Sequence, residues 1–353
     1  MRLPGTKTID WNGSYGAVVS QMVVFKNGRI IEAALDYFAQ ADDGSVWYLG
    51  EDVSNFENGV VVNHDGTWLA GRDGPGGMIM PAKPKLGDVF NSENIPGLVS
   101  EVDTVAATGL TVQTPSGPVG DAIRIRELPM DGKQEEKVYA PGYGEVSARD
   151  LDGSAHHELA LAVPADASQE PAPGELAVLS DGAGSIFDAA GSSAWEAASA
   201  TITAMQSAWD AYRTGDAVPE LLGAQLTEAL QSLSESIGAR SPMEARQASI
   251  EVAQATLDVA LRHRPQAEID LGRMRAWARQ VLADADSQDA DGVAGDAATL
   301  AATWSRVSDA LDASEARCVE EQLGRLRDAA GRRDLAEAMA VATRLQSVLE
   351  NAD

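Results

Sequence analysis

Residues 35–59, LDYFAQADDGSVWYLGEDVSNFENG, combine aromatic residues and tight turns in one two-stranded pattern around which the first half of the chain is organised. Successive side chains from Leu35 to Gln40 alternate between two faces, as in a strand, and an extended aromatic run resumes at Val46. The intervening Asp42-Asp43-Gly44 is typical of a tight turn, because glycine adopts a positive φ without steric cost. A second turn that ends at Gly59 leads into three valines, which favour a further strand. The stretch therefore predicts a β-hairpin and a third strand.

Strand-like segments separated by turn residues recur on both sides of this hairpin. Before it, Asn27-Gly28 is a strong hairpin signal between two extended segments. After it, the candidate strands are residues 60–63, 67–70, 100–107, 110–114, 122–128, 136–140 and 158–163. No helical period of useful length interrupts the series. Residues 1–163 are therefore predicted to form an antiparallel β meander that curls into a barrel or half-barrel.

The segment LDYFAQADDGSVWYLGED at 35–52 resembles the DWYAQD-x-x-GNVWYFGED segment of an uncharacterised group of bacterial secreted proteins and lipoproteins. GMIMPAKPKLGD at 77–88 and VYAPGYG at 138–144 are similar to two further motifs of this group, in the same order. The resemblance covers roughly the first 160 residues. It implies the β-domain and an extracytoplasmic location, periplasmic or secreted, and it implies no particular activity.

The sequence changes character after residue 163. Residues 164–180, PADASQEPAPGELAVLS, are rich in proline, alanine and acidic residues, which predicts a mobile linker. Within 181–353, apolar residues recur at steps of three and four in stripes that begin at Trp195, Leu222, Ile250, Leu271, Leu300, Val319 and Leu335. The chain is therefore predicted to be an α+β protein with two segregated domains, an antiparallel β meander and an all-α antiparallel helical bundle.

Charge narrows the range of partners. The 353 residues carry 27 basic and 54 acidic side chains, a formal net charge of −27. Such a field repels nucleic acids and anionic membrane surfaces, so cations and basic protein surfaces are the expected charged partners. The single cysteine, Cys318, cannot form an intramolecular disulfide.

The sequence contains neither a membrane-spanning segment nor a recognisable signal peptide. No apolar run approaches the ~20 residues that cross a bilayer, and the segment MRLPGTKTIDW at the start lacks the apolar core of a signal peptide. The resembling proteins begin with a signal segment and further strands. We therefore expect an extracytoplasmic protein whose signal segment is absent from this chain; the alternative is a cytoplasmic protein.

Aromatic residues of the hairpin and its neighbour are the candidate ligand contacts. They are Tyr37, Trp47, Tyr48 and Trp68. A curved sheet with one apolar face is able to hold an apolar ligand or a protein partner. Alternation also allows Tyr37 and Trp47 to be core residues, with any ligand on the concave face of the sheet.

A second hypothesis is that the protein binds a metal ion, which would be copper, iron or calcium. Met78 and Met80 stand at i and i+2, which places two thioether sulfurs on one side of a strand, and His64 is a candidate third ligand. In the helical half, His263 and Glu268 are candidates for a cation pocket. The competing interpretations are a core role for the methionines and an ion-pair latch around Pro265. In that latch, the two acids Glu268 and Asp270 are within reach of three arginines, Arg262, Arg264 and Arg273.

Catalytic patterns are missing from the sequence. Ser185 follows glycines but lies in no Gly-x-Ser-x-Gly motif, and no catalytic residue is assigned. The acidic run before Gly292 fails as an EF-hand, because Ala298 stands where a bidentate glutamate is required. No cofactor is required. The preferred function is therefore non-catalytic binding of an apolar small ligand or protein partner, followed by metal binding; a hydrolase without an identifiable active site ranks third.

Overall fold

A computed structural model describes residues 1–215 and 218–350 of the chain. It confirms the predicted fold class, with an antiparallel β region followed by an all-helical region. Contacts among the described residues divide the chain into two units. Residues 1–25, 31–57 and 61–165 form the first, the β unit, and residues 26–30, 58–60 and those from 166 onwards form the second, the helical unit.

Thirteen strands lie in the described part of the β region. They are β1 (Arg2–Asp10), β2 (Ser14–Lys26), β3 (Arg29–Gln40), β4 (Val46–Glu57), β5 (Val60–Asn63), β6 (Trp68–Leu69), β7 (Gly77–Met80), β8 (Val89–Ile95), β9 (Val99–Thr114), β10 (Gly117–Pro129), β11 (Glu135–Ala140), β12 (Gly144–Asp150) and β13 (His156–Glu158). One sheet has the order β1-β2-β3-β4-β5, with β6 and β7 both paired to β4. The second sheet runs β13-β12-β11-β10-β9-β8, so both sheets are meanders.

The hairpin predicted at 35–59 is formed by β3 and β4. Gln40 pairs with Val46 across a turn in which Gly44 has φ +96°, as the turn chemistry requires. A bulge lies between Asp36 and Phe38, opposite Gly50, and at Gly50 a Cβ would stand 2.3 Å from the carbonyl oxygen of Trp68. Only glycine allows β6 to approach β4 at this point.

Two apolar clusters stabilise the β unit. The first contains Tyr37, Tyr48, Leu49 and Trp68, with the half-buried Trp11 and Trp47 packed against it. The second is built around Phe90, Val105, Ile123 and Ile125. Met78 and Met80 both pack against this second cluster, so the two methionines do share one side of their strand.

The helical unit contains eight described α-helices. They are α1 (Gly174–Gly191), α2 (Trp195–Gly215), α3 (Glu220–Ala239), α4 (Pro242–Ala260), α5 (Gln266–Asp286), α6 (Ala290–Val307), α7 (Ala313–Gly331) and α8 (Leu335–Glu350). The predicted stripe of α2 is buried from Ala198 to Tyr212, at steps of three and four residues. Among the described residues, none of the helices combines the length and the apolar composition that a membrane span requires.

Residues 164–180 comprise an irregular segment and the start of α1. The division between the two units falls between Ala165 and Asp166. Helix α1 begins at Gly174 and buries Leu176, Leu179 and Ile186. The predicted linker therefore contains the first turns of a helix that hydrophobic periodicity did not reveal.

Charged residues meet around Asp270 of α5 in the helical unit. Asp270 is fully buried and accepts from Arg273 at 2.9 Å and from Arg306 of α6 at 3.4 Å. Arg273 also reaches Asp258 of α4 at 2.8 Å. An ion pair between Asp270 and Arg273 was part of the predicted latch, and the structure confirms that pair.

Candidate functional site

A small aromatic cavity opens on the β unit at the end of the β3–β4 hairpin. Its volume is about 300 Å³. The apolar walls come from Trp11, Tyr15, Trp47 and Leu49, and the remaining lining residues are Asn12, Ala39, Gln40 and Ala41. We call this cavity the aromatic pocket.

Local hydrogen bonds hold Trp47 in place on one wall of the pocket. Its indole N–H donates to Ser45 Oγ at 3.1 Å, and the Ser45 hydroxyl donates to Asp43 Oδ1 at 2.7 Å. The same turn is closed by a backbone bond from Ala41 N–H to the Ser45 carbonyl. Because the polar edge of Trp47 is satisfied inside the hairpin, its ring faces are left for apolar contact.

The second tryptophan is held by close packing. The ring centroids of Trp11 and Trp47 are 5.7 Å apart, with the planes tilted by 45°. Trp11 lies against Gly76, where a Cβ would stand 2.9 Å from the indole ring and 3.0 Å from Leu49. A side chain at position 76 would displace the ring, so the pocket depends on glycine there.

A different set of groups, rich in carboxylates, lies on the second sheet of the β unit. Glu101 and Asp103 stand at i and i+2 of β9 and share one face, and Glu127 of β10 lies opposite Asp103 in register. One carboxylate oxygen from each of the three lies within 4.8 Å of those of the other two. Glu101, Asp103 and Glu127 are named the carboxylate triad below.

Polar neighbours surround the triad. The Ser92 hydroxyl of β8 donates to Glu101 Oε1 at 2.6 Å, and Lys137 Nζ of β11 lies 2.7 Å from Glu127 Oε2. Asp103 is only 2 % exposed, and its Oδ1 accepts no hydrogen bond from the described residues. A buried carboxylate oxygen without a partner is costly, and it needs either a proton or a cation.

Burial changes the acidity of the triad. Burial, with the Glu101 charge adding to it, raises the pKa of Asp103 to about 7. Burial also raises the pKa of Glu127 to about 8, although the Lys137 ammonium opposes this shift. The pKa of Lys137 is itself raised, because the surrounding carboxylates outweigh its own desolvation. The Lys137 ammonium therefore stays charged, and it compensates only part of the negative charge of the surrounding carboxylates.

A row of further acids extends toward the first sheet. Glu93 of β8 lies beside Glu101 in register and accepts from the Trp68 indole N–H at 2.8 Å. Burial raises the pKa of Glu93 to about 7 and that of Glu51 to about 8, where the Glu93 and Asp36 charges add to the effect. The interior of the β unit is thus unusually rich in acids that resist ionisation.

A scan against protein-family models and a search of curated proteins find no match to this chain. The motif resemblance of residues 35–52, 77–88 and 138–144 stays a prediction.

Of the four aromatic residues predicted to contact a ligand, one lines the aromatic pocket and three are buried in the core. Trp47 lines the aromatic pocket. Tyr37, Tyr48 and Trp68 are at most 8 % exposed and belong to the apolar core. Their polar atoms are used within the protein, because the Tyr37 hydroxyl bonds to Asp52 and the Tyr48 hydroxyl donates to Asp36 at 3.0 Å.

The predicted metal ligands of the β unit have protein partners or core positions. His64 Nδ1 lies 2.6 Å from the Val53 carbonyl oxygen. Met78 and Met80 pack against the Phe90 cluster, which favours the core role over the thioether site. Copper binding by these three residues stays a prediction.

The predicted cation ligands of the helical unit lie around the start of α5. His263 Nε2 is 3.0 Å from the Tyr212 hydroxyl. Glu268 occupies the first turn of α5, where its charge is favourable to the helix dipole. The cation pocket at these two residues stays a prediction.

Sequence reasoning missed Trp11 and Tyr15 in the pocket, and it missed the whole triad. The signal for the triad was the alternation of Glu101, Asp103 and Val105, which places two acids on the same strand face as a core valine. An acidic residue on the strand face that points into the core is a candidate site residue, because burying an unpaired charge is unfavourable.

Proposed function

We propose that the β unit is a non-catalytic binding module for a small apolar molecule, which it holds in the aromatic pocket. One observation carries this proposal: the rings of Trp11 and Trp47 line the same cavity, while the polar edge of Trp47 is already bonded to Ser45. Flat apolar surface is thus the principal chemistry that the pocket offers to a ligand.

The size and lining of the pocket define the ligand class. About 300 Å³ is at the lower end of small-molecule sites, which suits a molecule of one or two rings. Asn12 and Gln40 supply amide groups that orient one polar substituent. Tyr15 is the only ionisable side chain among the eight lining residues, which favours binding over catalysis. The extracytoplasmic location rests on the motif resemblance, and a cytoplasmic location remains the alternative proposal.

Ligand-observed saturation-transfer NMR tests the proposal, with p-cresol as the probe. Saturation should pass to the ring protons of p-cresol in the wild-type protein. Trp47→Ala should weaken binding by about tenfold, because an aromatic contact contributes roughly 0.5–1.5 kcal/mol beyond its buried area. Trp47→Phe keeps a ring at this position and should bind more tightly than Trp47→Ala.

Phe25→Ala is the matched control. Phe25 is an aromatic residue of β2 that is 42 % exposed and does not line the pocket. This variant should bind p-cresol as the wild type does. Equal saturation transfer to the wild type and to a folded Trp47→Ala protein would overturn the proposal.

A further inference from the structure

The carboxylate triad shares no residue with the aromatic pocket. Its three acids come from two neighbouring strands, and their oxygens lie as close together as ligands of one ion. Oxygen ligands at 2.3–2.6 Å from a calcium ion are at most about 5 Å apart, which agrees with the 4.8 Å limit of the triad. The spacing therefore fits a single ion bound between the three side chains.

The charge of the site also fits a divalent cation. To bind a metal ion the three carboxyl groups must be deprotonated, and in that state they carry a net charge of −2 together with the Lys137 ammonium. Glu101 is half-buried, so the site is reachable from solvent, whereas Asp103 and Glu127 are buried. A doubly charged ion would compensate the charge that Lys137 leaves unbalanced.

Asp103 provides an observation independent of the acidic composition. Its Oδ1 is buried and accepts no hydrogen bond within the described residues, and the Ser92 hydroxyl donates its one proton to Glu101 instead. Most buried polar atoms in proteins have a bonding partner. The unpaired Oδ1 of Asp103 therefore indicates a partner from outside the polypeptide.

We propose that Glu101, Asp103 and Glu127 bind one calcium ion on the second sheet of the β unit. Hard carboxylate oxygens favour calcium over copper or zinc, since the triad offers neither sulfur nor imidazole. Calcium accepts mono- or bidentate carboxylates in irregular geometry, whereas magnesium demands a near-ideal octahedron and retains several waters. The Ser92 hydroxyl lies beside Glu101 as a further oxygen donor.

Isothermal titration calorimetry of the full chain, stripped with EDTA and titrated with CaCl₂ at pH 7.5, tests this proposal. We expect one site per chain. Asp103→Asn and Glu127→Gln keep the side-chain shape and should each weaken calcium binding by at least about tenfold, since even outer-shell changes at metal sites cost 10–100-fold. Magnesium should bind more weakly than calcium.

Glu57→Gln is the matched control, because Glu57 is an exposed acid of β4 outside the triad. This variant should bind calcium like the wild type. Thermal unfolding with and without calcium adds a second readout: calcium should raise the melting midpoint of the wild type and of Glu57→Gln but not that of Asp103→Asn.

Three outcomes would overturn the calcium site. They are the absence of calcium binding by the wild type, unchanged binding by both triad variants, and tighter binding of magnesium than of calcium. The first outcome would assign the triad to acids that only hold protons. None of these outcomes bears on p-cresol binding, so the two proposals are tested separately.

Discussion

The carboxyl group of Glu51 in β4 is half-buried and poorly solvated. Burial raises its pKa from an ordinary value of 4.5 to about 8, and the nearby Glu93 and Asp36 add to the shift. The folded state therefore binds a proton that the unfolded chain releases between these pH values. Its contribution to stability is full below about pH 4.5 and is lost as the pH rises through about 8.

We therefore predict that Glu51→Gln flattens the pH dependence of stability. With EDTA present, the unfolding free energy of the wild type should fall between pH 5 and pH 8, and the variant should lose less over this range. Because the side chain is partly exposed, the difference should be on the order of 1–3 kcal/mol. Urea denaturation followed by circular dichroism at both pH values measures it.

Glu57→Gln serves as control for this prediction as well. Glu57 is exposed on the same strand, so its removal should leave the pH profile of the wild type unchanged. If the Glu51→Gln profile has the slope of the wild type, Glu51 is not responsible for the loss of stability between pH 5 and pH 8.

Carboxylates show what sequence alone reveals at the residue scale. Adjacent acids such as Glu51 and Asp52 diverge on a strand, and this alternation is local and predictable. Which face becomes the interior depends on the partner sheet, so the burial of Asp103 became visible only with the fold. The three acids of the triad come from positions up to 26 residues apart in sequence, which no local pattern connects.

The ion pairs of Asp270 connect three helices of the helical unit. Asp270 lies on α5, and its partners Arg273 and Arg306 lie on α5 and α6, while Arg273 also bonds to Asp258 of α4. We predict that Asp270→Ala destabilises this unit by about 3–5 kcal/mol, because the largely buried guanidinium groups of Arg273 and Arg306 each lose a buried carboxylate partner, and Arg273 keeps only Asp258. Chemical denaturation followed by far-ultraviolet circular dichroism measures the change.

Asp210→Ala is the matched control for Asp270→Ala. Asp210 forms an i,i+3 pair with Arg213 on α2, as Asp270 does with Arg273, but both side chains are at least half exposed. Its loss should cost about 0–1 kcal/mol. Equal effects of the two substitutions would show that burial does not govern the strength of these pairs.

The sequence predicted some secondary-structure elements and missed others. The β3–β4 hairpin was predictable because its turn chemistry and alternation are local. Helix α1 was missed because Gly182 and Gly184 interrupt its pattern. A Cβ at Gly182 would stand 2.6 Å from Met205 of α2, so this glycine permits close packing of two helices, which is a tertiary requirement.

Net charge acts on the molecule as a whole. At −27, mutual repulsion of the acids opposes every compact state. We predict that raising NaCl from 10 to 200 mM increases the melting midpoint, because the Debye length shortens from about 30 Å to below about 10 Å. Differential scanning calorimetry measures the shift, and KCl should give the same response, since screening depends on ionic strength.

Ion pairs provide the opposing contribution to this salt effect. Glu136 contacts Arg126 at 2.9 Å and Arg149 at 2.7 Å, and salt weakens such attractions. A melting midpoint that falls with salt would show that these attractions outweigh the general repulsion.

The fold class, the β3–β4 hairpin, most of the helical stripes and the negative net charge can all be read from the sequence. These features follow from local turn chemistry, the period of apolar residues and summed charge. The contacts between distant residues became visible only in the folded molecule: Trp11 packs against Trp47, and Glu101 and Asp103 lie beside Glu127. The reason is that strand pairing and side-chain packing bring together residues distant in the chain, and no local pattern records those distances.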